Sequence, residues 1–295
     1  MASKRLTLPA VLAYLVQLML PQALGHGVGR ALMPGGLRHV SDANSSSINH
    51  WAGYQTAAGR GGGFYGGSAR INAWELELKP DQASSSVMWL SSGNNQIMSG
   101  FMVSPEQYND THLHFFVSWT ADGFNATGCM DTDCPGFVGS TPPASVTPGS
   151  TVAPTSVYHG NQTEYTVTIL QVAGNWSLIV DASGENETVG HLPGSLFTGL
   201  AGNATVVGWG GNAQSSSGAA GPPMGSGHGP DEGDGGAAYV ASIQVYDSKG
   251  RATAPAAGNL TSLTDAGDCY GASEYEVGKD DGGFFYYGGP QGCNH

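Results

Sequence analysis

Residues 112–120 read HLHFFVSWT, a run in which polar and apolar side chains change places at short intervals and β-branched and aromatic residues dominate. A period of two puts alternate side chains on opposite faces of a β-strand. Residues 69–78 (ARINAWELEL) alternate in the same way, and 165–172 (YTVTILQV), 204–209 and 237–246 are equally strand-like. Gly, Pro, Asn and Ser clusters separate these runs, the turn chemistry of an antiparallel fold. Only 193–200 reads as a helix, and a short one. Two stretches, 59–67 and 214–236, read as glycine-rich loops. With no internal repeat, many short strands predict an all-β fold, a sandwich or a barrel.

Composition narrows the function. Of 295 residues, 47 are glycine and 11% are charged, against about a quarter charged in ordinary domains. Ten cations face 23 carboxylates, giving a net charge of −13. Between Asp81 and Ser248 there is no lysine or arginine at all. Phosphate neutralisation needs clustered cations, so nucleic acids and anionic membranes are excluded as expected partners.

Lys4 and Arg5 precede an apolar run at 6–20, and Ala23-Leu24-Gly25 has the small-x-small pattern of a cleavage site. Residues 1–25 therefore read as a signal peptide, 26–47 as a flexible leader and 48–295 as one domain, secreted and extracellular. Eight N-x-S/T sequons accompany this: Asn44, Asn109, Asn125, Asn161, Asn175, Asn186, Asn203 and Asn259. Four cysteines allow three pairings; the sequence-local one, Cys129 with Cys134 and Cys269 with Cys293, is favoured and suits an oxidising compartment.

Isolated motifs read blandly. Gly225-Ser226-Gly227-His228 is a tight turn rather than a nucleophile elbow, which needs G-x-S-x-G between strand and helix. His112 and His114 share a strand face, read as solvated, with no third ligand beside them. Cleavage after Gly25 exposes His26, whose amine and ring together are able to chelate copper; a copper-binding or polysaccharide-active protein is thus a further alternative. No metal or cofactor is otherwise implied.

A longer ordered series carries more information: NAWELELKP (72–80), MWL (88–90), IMSGFMVSPEQYND (97–110), WTADGFNATGCMDTDCPGFV (119–138), VGHLP (189–193), WGGN (209–212), MGSGH (224–228), IQVYD (243–247) and FYYGGP (285–290). The series resembles the neprosin family of plant secreted proteins, named for a glutamic peptidase that cleaves beside proline, and the likeness runs over about 48–295. It implies an antiparallel β-sandwich of two large sheets with a cleft across one face, and two disulfides at the pairs above. It also implies a pair of glutamates facing each other across that cleft. One, as general base, activates water; the other, protonated, assists the carbonyl oxygen and leaving nitrogen. Two close carboxylates titrate as a coupled pair, so such enzymes work in acid.

The departures fall on the chemistry. Where active members resemble Ile-Glu-Ala-Gly-Trp-x-Val-Ser-Pro, residues 97–105 place Met98 at the glutamate. Where they resemble Glu-Trp-Gly-Gly-Glu, residues 208–212 place Gly208 and Asn212 at the two acids. Neither a thioether nor a missing side chain moves a proton. The family's Gly-Tyr-Trp-Pro run is Gly190-His191-Leu192-Pro193 here, and 26–47 stands where peptidase precursors carry a long activation region. The expectation is a catalytically inactive family member whose cleft, with candidates Trp89, Phe101, Trp119, His191, Leu192, Trp209 and Met224, binds an extended or proline-rich peptide. The alternative is an acid-active endopeptidase with relocated carboxylates, for which Glu75, Glu106 and Asp110 are the candidates.

Overall fold

The computed structural model describes residues 47–57, 63–182, 184–278 and 282–293. The expected signal peptide and the expected leader up to residue 46, with His26 and Asn44, lie outside the described residues, and Ser47 opens β1. The strands are β1 (Ser47–Thr56), β2 (Gly66–Asn72), β3 (Gln82–Ser92), β4 (Asn95–Val103), β5 (His114–Thr120), β6 (Cys129–Met130), β7 (Val138–Gly139), β8 (Glu164–Val172) and β9 (Asn175–Asp181). They continue with β10 (Asn186–Pro193), β11 (Val206–Ser216), β12 (Ala238–Tyr246), β13 (Ala252–Thr253), β14 (Leu260–Ser262), β15 (Gly271–Ala272), β16 (Glu276–Val277) and β17 (Gly283–Gly288).

Two antiparallel sheets form a sandwich. One has seven strands in the order β14-β1-β11-β3-β4-β5-β6; the other has ten, ordered β15-β17-β12-β2-β8-β9-β10-β7, with β13 beside β12 and β16 beside β17. The core lies between them. Met88, Leu90, Phe101, Phe115, Val117, Trp209 and Val207 point into it from the first sheet, against Ile71, Val167, Ile169, Val240 and Phe285 from the second. The sheets approach closely at Gly67, where an added Cβ would stand 2.6 Å from Val207 Cγ1.

The sequence expectation needs adjusting at the edges. The alternating run at 69–78 leaves the ladder after Asn72. Trp74 and Leu78 still turn inward and Glu75 and Glu77 outward, so the in–out pattern persists without strand pairing. Lys79-Pro80-Asp81 then turns the chain, with Gln82 N–H donating to Lys79 C=O. The glycine-rich loop expected at 214–236 begins later, because β11 continues to Ser216 and Gln214 pairs with Asn49 and Ala83; likewise Gly66 and Gly67 belong to β2. The helix near 193–200 is one 3-10 turn, Gly194–Leu196. An unexpected helical turn, α1 (Pro105–Tyr108), follows β4, with Ser104 as N-cap accepting from Gln107 N–H and proline at its start.

Both expected disulfides are present, Cys129–Cys134 and Cys269–Cys293, with Cα atoms 5.9 and 5.8 Å apart. The second closes a span of 24 residues and ties the C-terminal segment to the Ala266–Tyr270 turn. By loop-closure entropy, Cys269→Ser/Cys293→Ser is expected to cost about 3 kcal/mol, and Cys129→Ser/Cys134→Ser about 2 kcal/mol. Chemical denaturation of the two variants checks both the size and the order.

Candidate functional site

In the seven-stranded sheet, Met98 on β4 pairs with Trp89 on β3, and Trp89 pairs on its other side with Gly208 on β11. The row continues to Gln55 on β1 and through Ser118 on β5 to Met130 on β6. Residues in register share a face, so all six lie on one side of the sheet. Trp209, Ile97 and Leu90, one residue along, point into the sandwich; the row therefore faces away from it. Met98 and Gly208 stand two strands apart, about 9.6 Å at the usual strand spacing. Side chains of glutamate length at both positions would converge on one water between them.

The face holds no carboxylate along this row. Trp51, Ala83, Val87, Trp89, Met98, Met102, Phe116 and Leu263 form a second apolar cluster there, with Tyr108 and Met130 against it. Trp89 and Met98 are each only 1% exposed. The indole of Trp51 meets that of Trp89 edge-on, centroids 5.3 Å apart. A Cβ built on Gly208 would stand 2.0 Å from Trp89 Cζ2 and 2.3 Å from Cε2. The indole thus occupies the volume in which a side chain at 208 would begin. Asn212, two rows further along the same face, donates from Nδ2 to His50 C=O.

Of the cleft candidates, Trp89 alone lies on this face. Phe101 is three residues from Met98, Trp209 one from Gly208 and Trp119 one from Ser118; an odd step along a strand reverses the face, and all three are core residues. Met224 and Leu192 are also in the core, 0% and 1% exposed, and His191 sits half-buried on β10 of the other sheet.

The chain matches the Neprosin family over residues 80–290. It is a member of the neprosin family. Solved structures similar to this chain include scytalido-glutamic peptidase with a peptide-based transition-state analogue, at 9% identity and TM-score 0.45, covering 82% of this chain and 98% of that one. Another is SCP-B, a member of the eqolisin family of peptidases in complex with the tripeptide Ala-Ile-His, at 8% identity and TM-score 0.42, covering 83% and 100%.

The three acids considered as substitutes in this neprosin-family chain gather partly at one end of β5. Glu75 Oε2 accepts from Leu113 N–H at 3.1 Å and lies 3.3 Å from His112 Nδ1. Asp110 Oδ1 accepts from His112 N–H at 2.9 Å and meets His114 Nε2 at 2.9 Å. Burial pushes the Asp110 carboxyl up, but the bonds from His114 and His112 outweigh it and hold the group below the usual range. Glu106 is exposed on α1. His114, read from sequence as solvated, is instead buried: its ring stacks on Tyr108 at 3.9 Å, with Nδ1 2.9 Å from Gly149 C=O.

Sequence reading passed over one acid, Asp131, 5% exposed beside Met130 at the end of the row. Its Oδ1 accepts from Val117 N–H at 2.9 Å and its Oδ2 from Tyr108 O–H at 2.9 Å. Burial pushes its carboxyl up to about 6 despite both bonds. Burial, and next the Asp131 charge, hold the Tyr108 hydroxyl far above the ordinary range. Both Asp131 oxygens are engaged by these donors, and among the described residues no second carboxyl is bonded to it.

That placement has a stability consequence. The folded value, about 6, exceeds the ordinary carboxylate value of about 3.9. The protonated form is therefore favoured by folding: the contribution is complete below about pH 4 and is lost as pH rises through about 6. Asp131→Asn keeps an acceptor for Val117 N–H and carries no charge at any pH. It is expected to be about 2–3 kcal/mol more stable than wild type at neutral pH, with no advantage below about pH 4. Denaturation curves at the two pH values check the sign.

All seven described sequons reach the surface: Asn109, Asn125, Asn161, Asn186 and Asn259 are exposed, Asn175 and Asn203 partly so. Among the described residues no helix is long and apolar enough to cross a membrane, and no group of three or more His, Cys, Asp or Glu side chains is placed to hold a metal ion.

Proposed function

We propose that this chain is a secreted, glycosylated member of a peptidase family that has lost proteolysis and keeps its outer sheet face as a peptide-binding surface. The observation that carries the reading is the Trp89 indole lying over Gly208 and beside Met98. With the family's two acid positions apolar or empty, and with aromatic bulk between them, the row has neither a general base nor a general acid. Each such group typically contributes roughly 10²–10⁴ in rate.

Binding is supported by polar groups farther along the same face. Asn49 Oδ1, Gln214 Oε1 and Ser85 Oγ are buried there without hydrogen-bond partners among the described residues. Asn49 pairs in register with Gln214, and Ser85 with Asn212. Buried polar groups without partners are uncommon and call for a partner, an ordered water or a ligand's donor. Six residues of β11 separate Gln214 from Gly208, about 20 Å of extended chain. An extended peptide has N–H donors at intervals along that length.

An array of proline-rich and unrelated peptides tests this. Saturable binding that Gln214→Ala weakens at least threefold is the expected result; no affinity anywhere in the array rejects the binding role. Secretion and glycosylation are checked by the intact mass of the mature protein before and after glycosidase treatment. The reading of an acid peptidase with relocated carboxylates gains no support from Glu75 and Asp110, each of which has one carboxylate oxygen, Oε2 and Oδ1, tied to residues 112–114.

A further inference from the structure

On the opposite side of the molecule, the outward face of the ten-stranded sheet carries a hollow of about 350 Å³. Tyr239 on β12 pairs with Tyr286 on β17, and Ala241 with Arg70 on β2, in register beside the inward Val240 and Phe285. These residues therefore point away from the sandwich core. Register slips on both sides of β12 around Ser242, a non-glycine residue at φ 49°, which also lines the hollow.

Three aromatic rings form one wall. Phe284 and Tyr286 stand at 88° with centroids 4.7 Å apart, Tyr239 and Tyr286 at 88° and 6.4 Å, and Tyr239 and Phe284 at 32° and 5.9 Å. Two rings are thus nearly co-oriented and the third is perpendicular to them. Such a corner offers ring faces in more than one direction, whereas a flat ligand needs a single open platform.

The charges around it are unequal. Arg70 Nε lies 3.4 Å from Glu164 Oε2, which also accepts from Tyr239 O–H at 2.6 Å; this cation already has its counter-charge. Asp234 and Glu276 line the same hollow, both exposed. Neither carboxylate forms an ion pair or hydrogen bond with another described residue. Burial first, then the charges of Asp234 and Glu276, hold the Tyr286 hydroxyl above its ordinary value, as a negative local field requires.

We propose that this hollow is a binding site for an alkylammonium cation, the head group of a small amine or of a lysine side chain, held against the Tyr239–Phe284–Tyr286 corner with Asp234 and Glu276 as counter-charges. Ring faces attract ammonium groups, and two carboxylates with no ion-pair partner among the described residues supply the charge complement that a neutral or anionic ligand would waste. The site shares no residue with the Met98–Gly208 row, so it stands whether or not that row binds peptide.

The test is titration of the full mature protein with propylammonium, tetramethylammonium, acetyl-lysine amide (free side-chain amine) and, for contrast, cellobiose, followed by aromatic NMR signals. Saturable shifts of Phe284 and Tyr286 with the three cations and none with cellobiose are expected. Comparable affinity for the lysine amide and propylammonium assigns the head group as the recognised element; binding of the lysine amide alone assigns a peptide-borne source. Glu276→Gln and Phe284→Leu should each weaken binding about tenfold, while Asp81→Asn, an exposed acid elsewhere, should leave it unchanged. The melting temperature of each variant confirms that it is folded. Binding of cellobiose in preference to the cations, absence of saturable shifts, or equal weakening by Asp81→Asn overturns the proposal; the last result would mean diffuse attraction to a chain of net charge −13.

Discussion

The triple variant Trp89→Ala/Met98→Glu/Gly208→Glu is expected to cleave proline-containing peptides in acid at least 10²-fold faster than wild type. The two positions lie in one cross-strand row, on one face, with a single strand between them. That spacing lets two carboxylates share a water, and close carboxylates divide their protons so that one is base and the other acid below neutrality. Each recovered group restores roughly 10² or more. Trp89 must shrink in the same variant, because its indole fills the volume at Gly208. Rates across pH, with circular dichroism as the folding control, decide the matter; a folded triple variant that stays at background would mean that this row is not the one that carries catalysis.

The second large effect is on stability. Gly208→Glu alone is expected to cost more than about 4 kcal/mol, since it combines overpacking with a buried, unpaired carboxylate. A smaller change isolates the steric part. Gly208→Ala forces a Cβ within 2.0 Å of Trp89 Cζ2 and should cost about 1–3 kcal/mol. Trp89→Ala by itself removes a fully buried indole and should cost about 3–5 kcal/mol. Together they should cost less than the sum by about 1–3 kcal/mol, because each removes the reason for the other's penalty. Strict additivity in this cycle would show that the ring and position 208 do not compete for space.

The residues bear unequally on what could be read beforehand. β5 was legible from 112–120 because its face to the core is continuous, and so was the antiparallel class. Family motifs at 97–105 and 208–212 assigned the two acid positions, and the pairing of Met98, Trp89 and Gly208 puts those positions on one row. The parity of strand positions was also in the sequence: with Met98 and Gly208 on the cleft face, Phe101 and Trp209 had to turn inward. Ser104-Pro105-Glu106 carried the capping signal of α1, which a strand-dominated reading passed over.

Other features depend on contacts between segments far apart in the chain. Asp131 is buried by Tyr108 and by the β5 backbone, and nothing in DTDC at 131–134 foretells it. His114 is buried for the same reason, stacked on a ring supplied by α1. The run at 69–78 kept its in–out pattern but lost its ladder, since alternation reports which side is dry and not whether a neighbour strand is present. The closeness of the Trp89 indole to Gly208 is likewise a matter of rotamer and sheet twist, invisible to spacing.

The outer row of the seven-stranded sheet, from Gln55 to Met130, carries no carboxylate. The most direct test is cleavage of proline-containing peptides by the unmodified mature protein, from about pH 3 to pH 7, the range in which a carboxylate pair titrates. Background hydrolysis is expected at every pH. Turnover that rises in acid would contradict it, and removal of Asp131, Glu75 and Asp110 in turn would then find the acid responsible.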